Sequence, residues 1–222
     1  MRIALLGGTG DIGEGLALRW AHDTDHTIVI GSRNEEKAQK RAADYREILD
    51  ERDKSFDIEG EQNAAATEGA DVVIVSVPPE YATDTVDAVA DALDDDAILV
   101  SPAVKMNRDA AGFHYDPPEV GSVAEEIAAA APDHVPVVGA FQNVAAGALT
   151  DLDAELSADI VVNGDDDETK QIIADLSEEI DGIRALDGGP LATSALVESV
   201  TPLLINLAMN NDGMHDLGVK FQ

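Results

Sequence analysis

Six residues near the start of the chain, Gly8-Thr9-Gly10-Asp11-Ile12-Gly13, fit the pattern G-x-G-x-x-G. The pattern alone is weak, and its context makes it specific. It follows an apolar run, Arg2 to Leu6, that reads as a short buried strand. It opens a segment in which Ile12, Leu16 and Trp20 recur at helical spacing. Glycines at that junction allow a tight turn and close approach of the backbone to a pyrophosphate. The helix start adds free N–H groups and the positive end of a dipole. Thr9 adds a hydroxyl donor.

The end of the second strand selects the nucleotide. An acidic residue there holds the ribose hydroxyls of NAD. This chain has Gly31-Ser32-Arg33-Asn34, with Lys37 one turn on. Half of its fourteen Lys and Arg lie between Arg33 and Lys54. Paired charges along a solvated helix account for Lys40 to Lys54, but not for Ser32-Arg33 at a strand end. Ser32, Arg33 and Lys37 are the residues expected to take the 2′-phosphate of NADP, for which an arginine fork is the matching donor.

Other chemistries find little support. The chain has no cysteine, which removes disulfides and thiolate catalysis. Tyr45, Tyr81 and Tyr115 are followed four places on by Leu49, Thr85 and Glu119, so no Tyr-x-x-x-Lys pair exists. No nucleophile elbow with a Ser-His-Asp set is visible. His22 and His26 have a metal-compatible spacing but sit where a turn is expected. Asp165-Asp166-Asp167-Glu168 reads as a capped helix start. Lys105 reads as a surface lysine. Glu198, in an apolar run, fits a capping, interface or cleft residue.

The elements that must position these residues alternate. Strands are expected at Arg2 to Leu6, Thr27 to Ile30, Asp71 to Val77, Ala97 to Val100, Val135 to Phe141 and Ile160 to Asn163. Helices are expected at Asp11 to Ala21, Glu35 to Arg52, Tyr81 to Leu93, Val123 to Ala131 and about 165–180, and from Leu191 to the end. Asp109 to Val120 reads as a loop. Alternation implies an α/β, Rossmann-type, doubly wound and mainly parallel sheet, with a smaller C-terminal helical part. The boundary is expected near Gly147, giving residues 1–147 and 148–222. The run Leu196 to Met209 is interrupted by Glu198, Pro202 and Asn206 and reads as a core helix rather than a membrane span, with packing on a partner subunit as the other option. With no signal-like leader, the expected location is the cytoplasm.

The charge is extreme: 45 acidic against 14 basic residues, net −31. Such a surface repels nucleic acid. The acids are scattered rather than gathered in a tail, and the chain is too apolar for disorder. The expectation is a folded protein adapted to high internal salt, with counter-ions screening its self-repulsion.

Beyond these physical readings, the opening MRIALLGGTGDIGEG resembles the start of archaeal coenzyme F420-dependent NADP reductases, and the chain looks like a haloarchaeal member. The likeness continues at Gly31-Ser32-Arg33, Val100-Ser101-Pro102, Gly164 to Glu168, Glu179 to Gly182, Gly189-Pro190-Leu191, Leu196 to Ser199 and Leu217 to Phe221. The C-terminal stretches are the more specific ones. The resemblance implies direct hydride transfer between NADP(H) and the deazaflavin F420, with no catalytic side chain, and a homodimer. It implies NADP contacts at Thr9 to Ile12, Ser32, Arg33 and Lys37. Ser76, Val77, Pro78, Val104 and Ala146 would line the nicotinamide. One departure stands out: the family pattern has His where this chain has Gln142. Its amide can still bond a ring carbonyl. The alternatives are an NADPH-dependent reductase of another small acceptor, or an NADP(H)-sensing module.

Overall fold

The computed structural model describes residues 1–52 and 56–222; Lys54 lies outside them. In chain order the strands are β1 (Arg2–Leu6), β2 (Thr27–Ser32), β3 (Asp57–Gln62), β4 (Val72–Val75), β5 (Ile98–Ser101), β6 (Met106–Asp109), β7 (Gly112–Tyr115), β8 (Val137–Gly139), β9 (Ala158–Gly164) and β10 (Ile183–Asp187). The helices are α1 (Asp11–Asp23), α2 (Glu35–Asp50), α3 (Asn63–Thr67), α4 (Ala82–Val89), α5 (Val123–Ala130), α6 (Ala146–Thr150), α7 (Asp167–Glu178), α8 (Ser194–Glu198) and α9 (Val200–Asn210).

One sheet runs in the order β10-β9-β8-β5-β4-β1-β2-β3. Its strands are parallel except where β9 meets β8. Alternate residues of each strand feed opposite cores. Ile3, Leu5, Ile28, Ile30, Val72 and Ile74 face Leu16, Trp20, Tyr45 and Leu49 of α1 and α2. Ala4, Leu6, Val29, Val73 and Val75 face Ala66, Val86, Val89 and Ile127 on the other side. The apolar run of β1 is buried on both faces for this reason. Strand order reverses between β1 and β4, which opens a crevice at their carboxyl ends.

Two strands absent from the sequence reading, β3 and β10, are the sheet edges. Each buries only part of its length, so neither carries a continuous apolar run. The expected loop 109–120 contains part of an antiparallel hairpin, β6–β7, whose exposed polar residues hide the strand pattern. Asn206 of α9 ties that hairpin down, accepting from Phe113 N (2.8 Å) and donating to Phe113 O (2.7 Å).

The C-terminus needs two corrections. Helix ends at Asn210, and residues 211–222 run without regular structure. Nor is the apolar run a core helix. Only Pro202 of α9 is buried, while Leu196, Leu203 and Leu207 are exposed. The stretch Leu191–Asn210 has the length and apolar composition of a membrane span. It is nevertheless docked on the domain through Glu198, which is fully buried.

The Glu198 carboxylate accepts from the amides of Val123 and Ala124 (both 3.2 Å), the first turn of α5, and from the Tyr115 hydroxyl (3.0 Å). The capping reading of this residue is therefore the one the structure selects. Burial pushes its pKa up to about 6 against the pull of those donors. A carboxyl raised in the folded state adds most stability when protonated. That contribution is complete below the ordinary carboxylate range and is lost as pH rises through about 6. Wild type is thus expected to gain stability over Glu198→Gln as pH falls through this window. Urea midpoints measured for both proteins across it check the point, and a pH-independent difference contradicts it.

Candidate functional site

Two cavities open at the carboxyl edge of the sheet. The smaller, about 300 Å³, is lined by Gly7, Thr9 and Gly10 after β1, Ser32, Arg33 and Lys37 after β2, Asn63 after β3, and Ser76, Val77, Pro78, Tyr81 and Thr85 after β4. It occupies the crevice where strand order reverses.

The glycines of its loop do different jobs. A methyl on Gly13 would lie 2.6 Å from Gly8 Cα, and one on Gly8 would lie 2.9 Å from the Leu5 carbonyl oxygen. These two let backbone pack on backbone. A methyl on Gly10 would instead make only ordinary contact, its nearest neighbour the Gly7 carbonyl oxygen at 3.5 Å. Gly10 is the N-cap of α1, and no side chain caps that helix. Asp11 and Ile12 form its first turn, so their amides face the loop mouth. An uncapped, glycine-fronted helix start fits a pyrophosphate. Behind the loop, the buried Tyr45 hydroxyl donates to Gly8 O (2.9 Å), and burial raises the phenol's pKa.

Arg33 is exposed, and its guanidinium lies 5.3 Å from the centroid of the Tyr81 ring. The ring holds the fork beside Ser32 and Lys37. Ser32 Oγ accepts from Asn34 N (3.2 Å), and Asn34 Oδ1 caps α2 through Lys37 N (2.9 Å). Two cations therefore flank one hydroxyl at the strand end, a donor set that fits a ribose 2′-phosphate. Tyr81 and Asn63 were not foreseen. Both are brought in by elements far along the chain, and no local pattern marks them.

The larger cavity, about 530 Å³ and mostly apolar, lies at the end of β8. Gln142 to Gly147 form one wall, Thr201, Leu204, Ile205, Ala208 and Met209 another, and Met214 to Leu217 a third. The chain turns into it through Phe141, a non-glycine residue at φ 68° that is buried edge-on against Trp20, with centroids 5.6 Å apart. Left-handed backbone at a bulky side chain is strained, and such strain gathers at functional sites. Gln142 follows Phe141, with its amide nitrogen packed beside Gly139 and Ser194: a methyl on Gly139 would lie 2.9 Å from Gln142 Nε2 and 2.6 Å from Ser194 Oγ. The Gln142 side chain is 3% exposed, yet neither amide atom has a hydrogen-bond partner. Gln142 thus lines the cavity while its unpaired amide lies just behind the wall, and the mostly apolar cavity fits a flat ring.

Of the residues singled out from sequence, Thr9, Gly10, Ser32, Arg33, Lys37, Ser76, Val77 and Pro78 line the smaller cavity. Gln142 and Ala146 line the larger one. Gly8, Asp11, Ile12 and Gly13 build the turn behind the smaller cavity. Val104 is half-buried after β5 and lines neither cavity. His22 and His26 go to different partners, Asp23 and Glu179, and no metal-type cluster occurs among the described residues. Asp166 caps α7 through Thr169 N (2.8 Å), the helix-start reading of that acidic run.

The F420-dependent NADP reductase of Methanocaldococcus jannaschii is 44% identical over 210 residues, 93% of this chain and 92% of its own length. The chain belongs to this family. A second F420-dependent NADP reductase, from Methanothermobacter thermautotrophicus, is 37% identical over 95% of this chain and 90% of its own. The family profile described as NADP oxidoreductase, coenzyme F420-dependent, matches residues 2–105. That span holds the smaller cavity and stops short of Gln142. Among solved structures, an Arthrobacter protein assigned as an F420-dependent NADP reductase superposes with a TM-score of 0.82, covering 100% of this chain and 99% of its own. At 23% identity it shows the shared fold. Gln142, singled out from the sequence, lies among the residues lining the larger cavity.

Proposed function

We infer that this reductase transfers a hydride directly between NADP(H) and the deazaflavin coenzyme F420. The observation that carries the reading is the contact between the two cavities' supporting helices. A methyl on Gly15 of α1 would lie 2.5 Å from Leu149 Cβ and 3.3 Å from the Ala146 carbonyl oxygen of α6. The helix that opens the phosphate loop thus packs against the helix that walls the larger cavity. The two cofactors supply the hydride donor and acceptor. The protein's work is to hold them together and exclude water.

In this reading Gly8 to Gly13 seat the pyrophosphate, and Ser32, Arg33 and Lys37 seat the 2′-phosphate. Ser76, Val77 and Pro78 border the nicotinamide, and Ala146, on the wall of the larger cavity, meets it from the deazaflavin side; Val104, which lines neither cavity, supports the loop after β5. Gln142 meets the polar edge of the deazaflavin. The functional division falls near Gly147, with residues 148–222 closing the deazaflavin side while β9 and β10 extend the same sheet. Mixing the protein with NADPH and oxidised F420 in molar KCl should bleach the deazaflavin absorbance. NADH should not substitute. Tight NADPH binding without bleaching would overturn the reading.

The enzyme works as a homodimer in a salt-rich cytoplasm. The exposed Leu196, Leu203 and Leu207 support a second copy as the cover of α9. Lipid is the poorer cover, because Glu198, Thr201 and Asn206 of the same stretch are bonded to the domain. Leu207→Glu should convert dimer to monomer in light scattering. An unchanged mass would place the interface elsewhere.

A further inference from the structure

We propose that Asp159 is a positioning residue for deazaflavin binding, acting by clasping the C-terminal segment that forms one wall of the larger cavity. The proposal rests on the assignment of that cavity to the deazaflavin.

Residues 211–222 have no regular structure, yet Met214, His215, Asp216 and Leu217 line the cavity. Something must hold them there. The next residues end on one carboxylate. Asp159 is 0% exposed, and its side chain takes Arg184 Nε (2.9 Å) and Nη2 (2.6 Å), Lys220 Nζ (3.0 Å) and the Phe221 amide (2.6 Å). Its own amide donates to Val219 O (2.7 Å), and Arg184 Nη2 also donates to Phe221 O (2.6 Å). The same residue holds the opposite lip of the cavity: its carbonyl accepts from Asn143 Nδ2 (2.6 Å), and Asn143 adjoins Gln142 on the wall. One residue thus ties the tail and the Gln142 turn to the start of β9.

Antiparallel pairing makes this possible. Because β9 runs against β8, its first residues project past the carboxyl end of β8 and lie beside 140–143, at the cavity rather than at the far side of the sheet.

The chemistry of the clasp suits this chain. Two of only fourteen basic side chains converge on Asp159. Arg184 first, then the Phe221 amide and Lys220, hold the carboxyl far below the ordinary range despite its burial. At molar salt the screening length is about 3 Å, which erases most exposed pairs and spares buried ones. Arg184 and Lys220 are 47% and 41% exposed, so salt weakens their part of the clasp, while the bonds of the buried Asp159 to the Phe221 amide and the Val219 carbonyl persist in brine.

Asn at this position keeps the shape but turns an NH2 toward cationic donors. The test is Asp159→Asn, with a truncation lacking residues 218–222 as the second variant should the first fail to fold. Three readouts separate the outcomes: trypsin cleavage after Lys220 followed by mass spectrometry, fluorescence titration with F420 alone and with NADPH alone, and the KM for each. The expected result is rapid cleavage after Lys220 in Asp159→Asn. F420 affinity and KM should worsen about tenfold or more in both variants, and NADPH binding should be unchanged. A tail that stays protected in Asp159→Asn overturns the clasp. A released or missing tail with unaltered F420 binding overturns the positioning role. Equal losses for both cofactors reduce Asp159 to a general stability residue, which also overturns it. Ala208→Phe fills the cavity from the α9 wall and leaves the Asp159 clasp in place. If that variant binds F420 normally, the cavity assignment itself is wrong, and the two failures are told apart.

Discussion

Arg33→Ala lowers the affinity for NADPH by about 1.5–3 kcal/mol, roughly ten- to a hundredfold, and leaves NADH binding nearly unchanged. The asymmetry follows from where the side chain stands. It sits at the end of β2 beside Ser32 and Lys37, with its guanidinium over the Tyr81 ring, and among the described residues no acidic one lines that cavity to hold ribose hydroxyls. A charged hydrogen bond to a phosphate dianion is lost only with the phosphorylated nucleotide. The surrounding protein sharpens the effect. A chain with net charge −31 repels a dinucleotide phosphate everywhere except where cations gather. Fluorescence titration of both nucleotides on both proteins measures the difference. Equal loss for NADPH and NADH would falsify the 2′-phosphate role.

The second large effect is on folding. Moving the protein from molar to millimolar KCl should abolish its cooperative thermal transition. The screening length grows from about 3 Å at 1 M to about 30 Å at 0.01 M, so most of the surface charge then repels itself at once. The basic side chains cannot compensate. Arg19 is buried and spends itself on the carbonyls of Ala148, Leu149, Asp151 and Ala154, holding the end of α6. Arg184 and Lys220 go to Asp159. Pairs such as Arg41 with Glu14 and Asp44 stand 3.9–4.0 Å apart and partly exposed, where they contribute little. Circular-dichroism melts across a KCl series decide the matter, and a melting temperature independent of salt refutes the adaptation.

The central strands and the helices on α1 and α2 were readable because burial leaves a periodic trace. β1 and β4 are buried on both faces and appear as apolar runs; α2 shows Ala38, Ala42, Tyr45 and Leu49 at helical spacing. β3 and β10 left no such trace because an edge strand is only partly covered. The run Leu196 to Met209 misled for the opposite reason. Apolar composition records that a surface avoids water and cannot say whether its own core or another molecule provides the cover.

By itself the sequence determined the nucleotide half of this protein. A strand, a glycine turn and a helix start are contiguous, and the next strand end brings Ser32, Arg33 and Lys37 within a few residues of one another, so local geometry suffices. Of the larger cavity the resemblance offered only Gln142 and Ala146; its assembly was decided by the tertiary structure. Its walls come from residues 142–147, 201–209 and 214–217, joined by the reversal of β9, the left-handed turn at Phe141 and the clasp on Asp159. Those contacts span tens of residues. A contact of that range depends on how the whole sheet is ordered, and no local spacing encodes it.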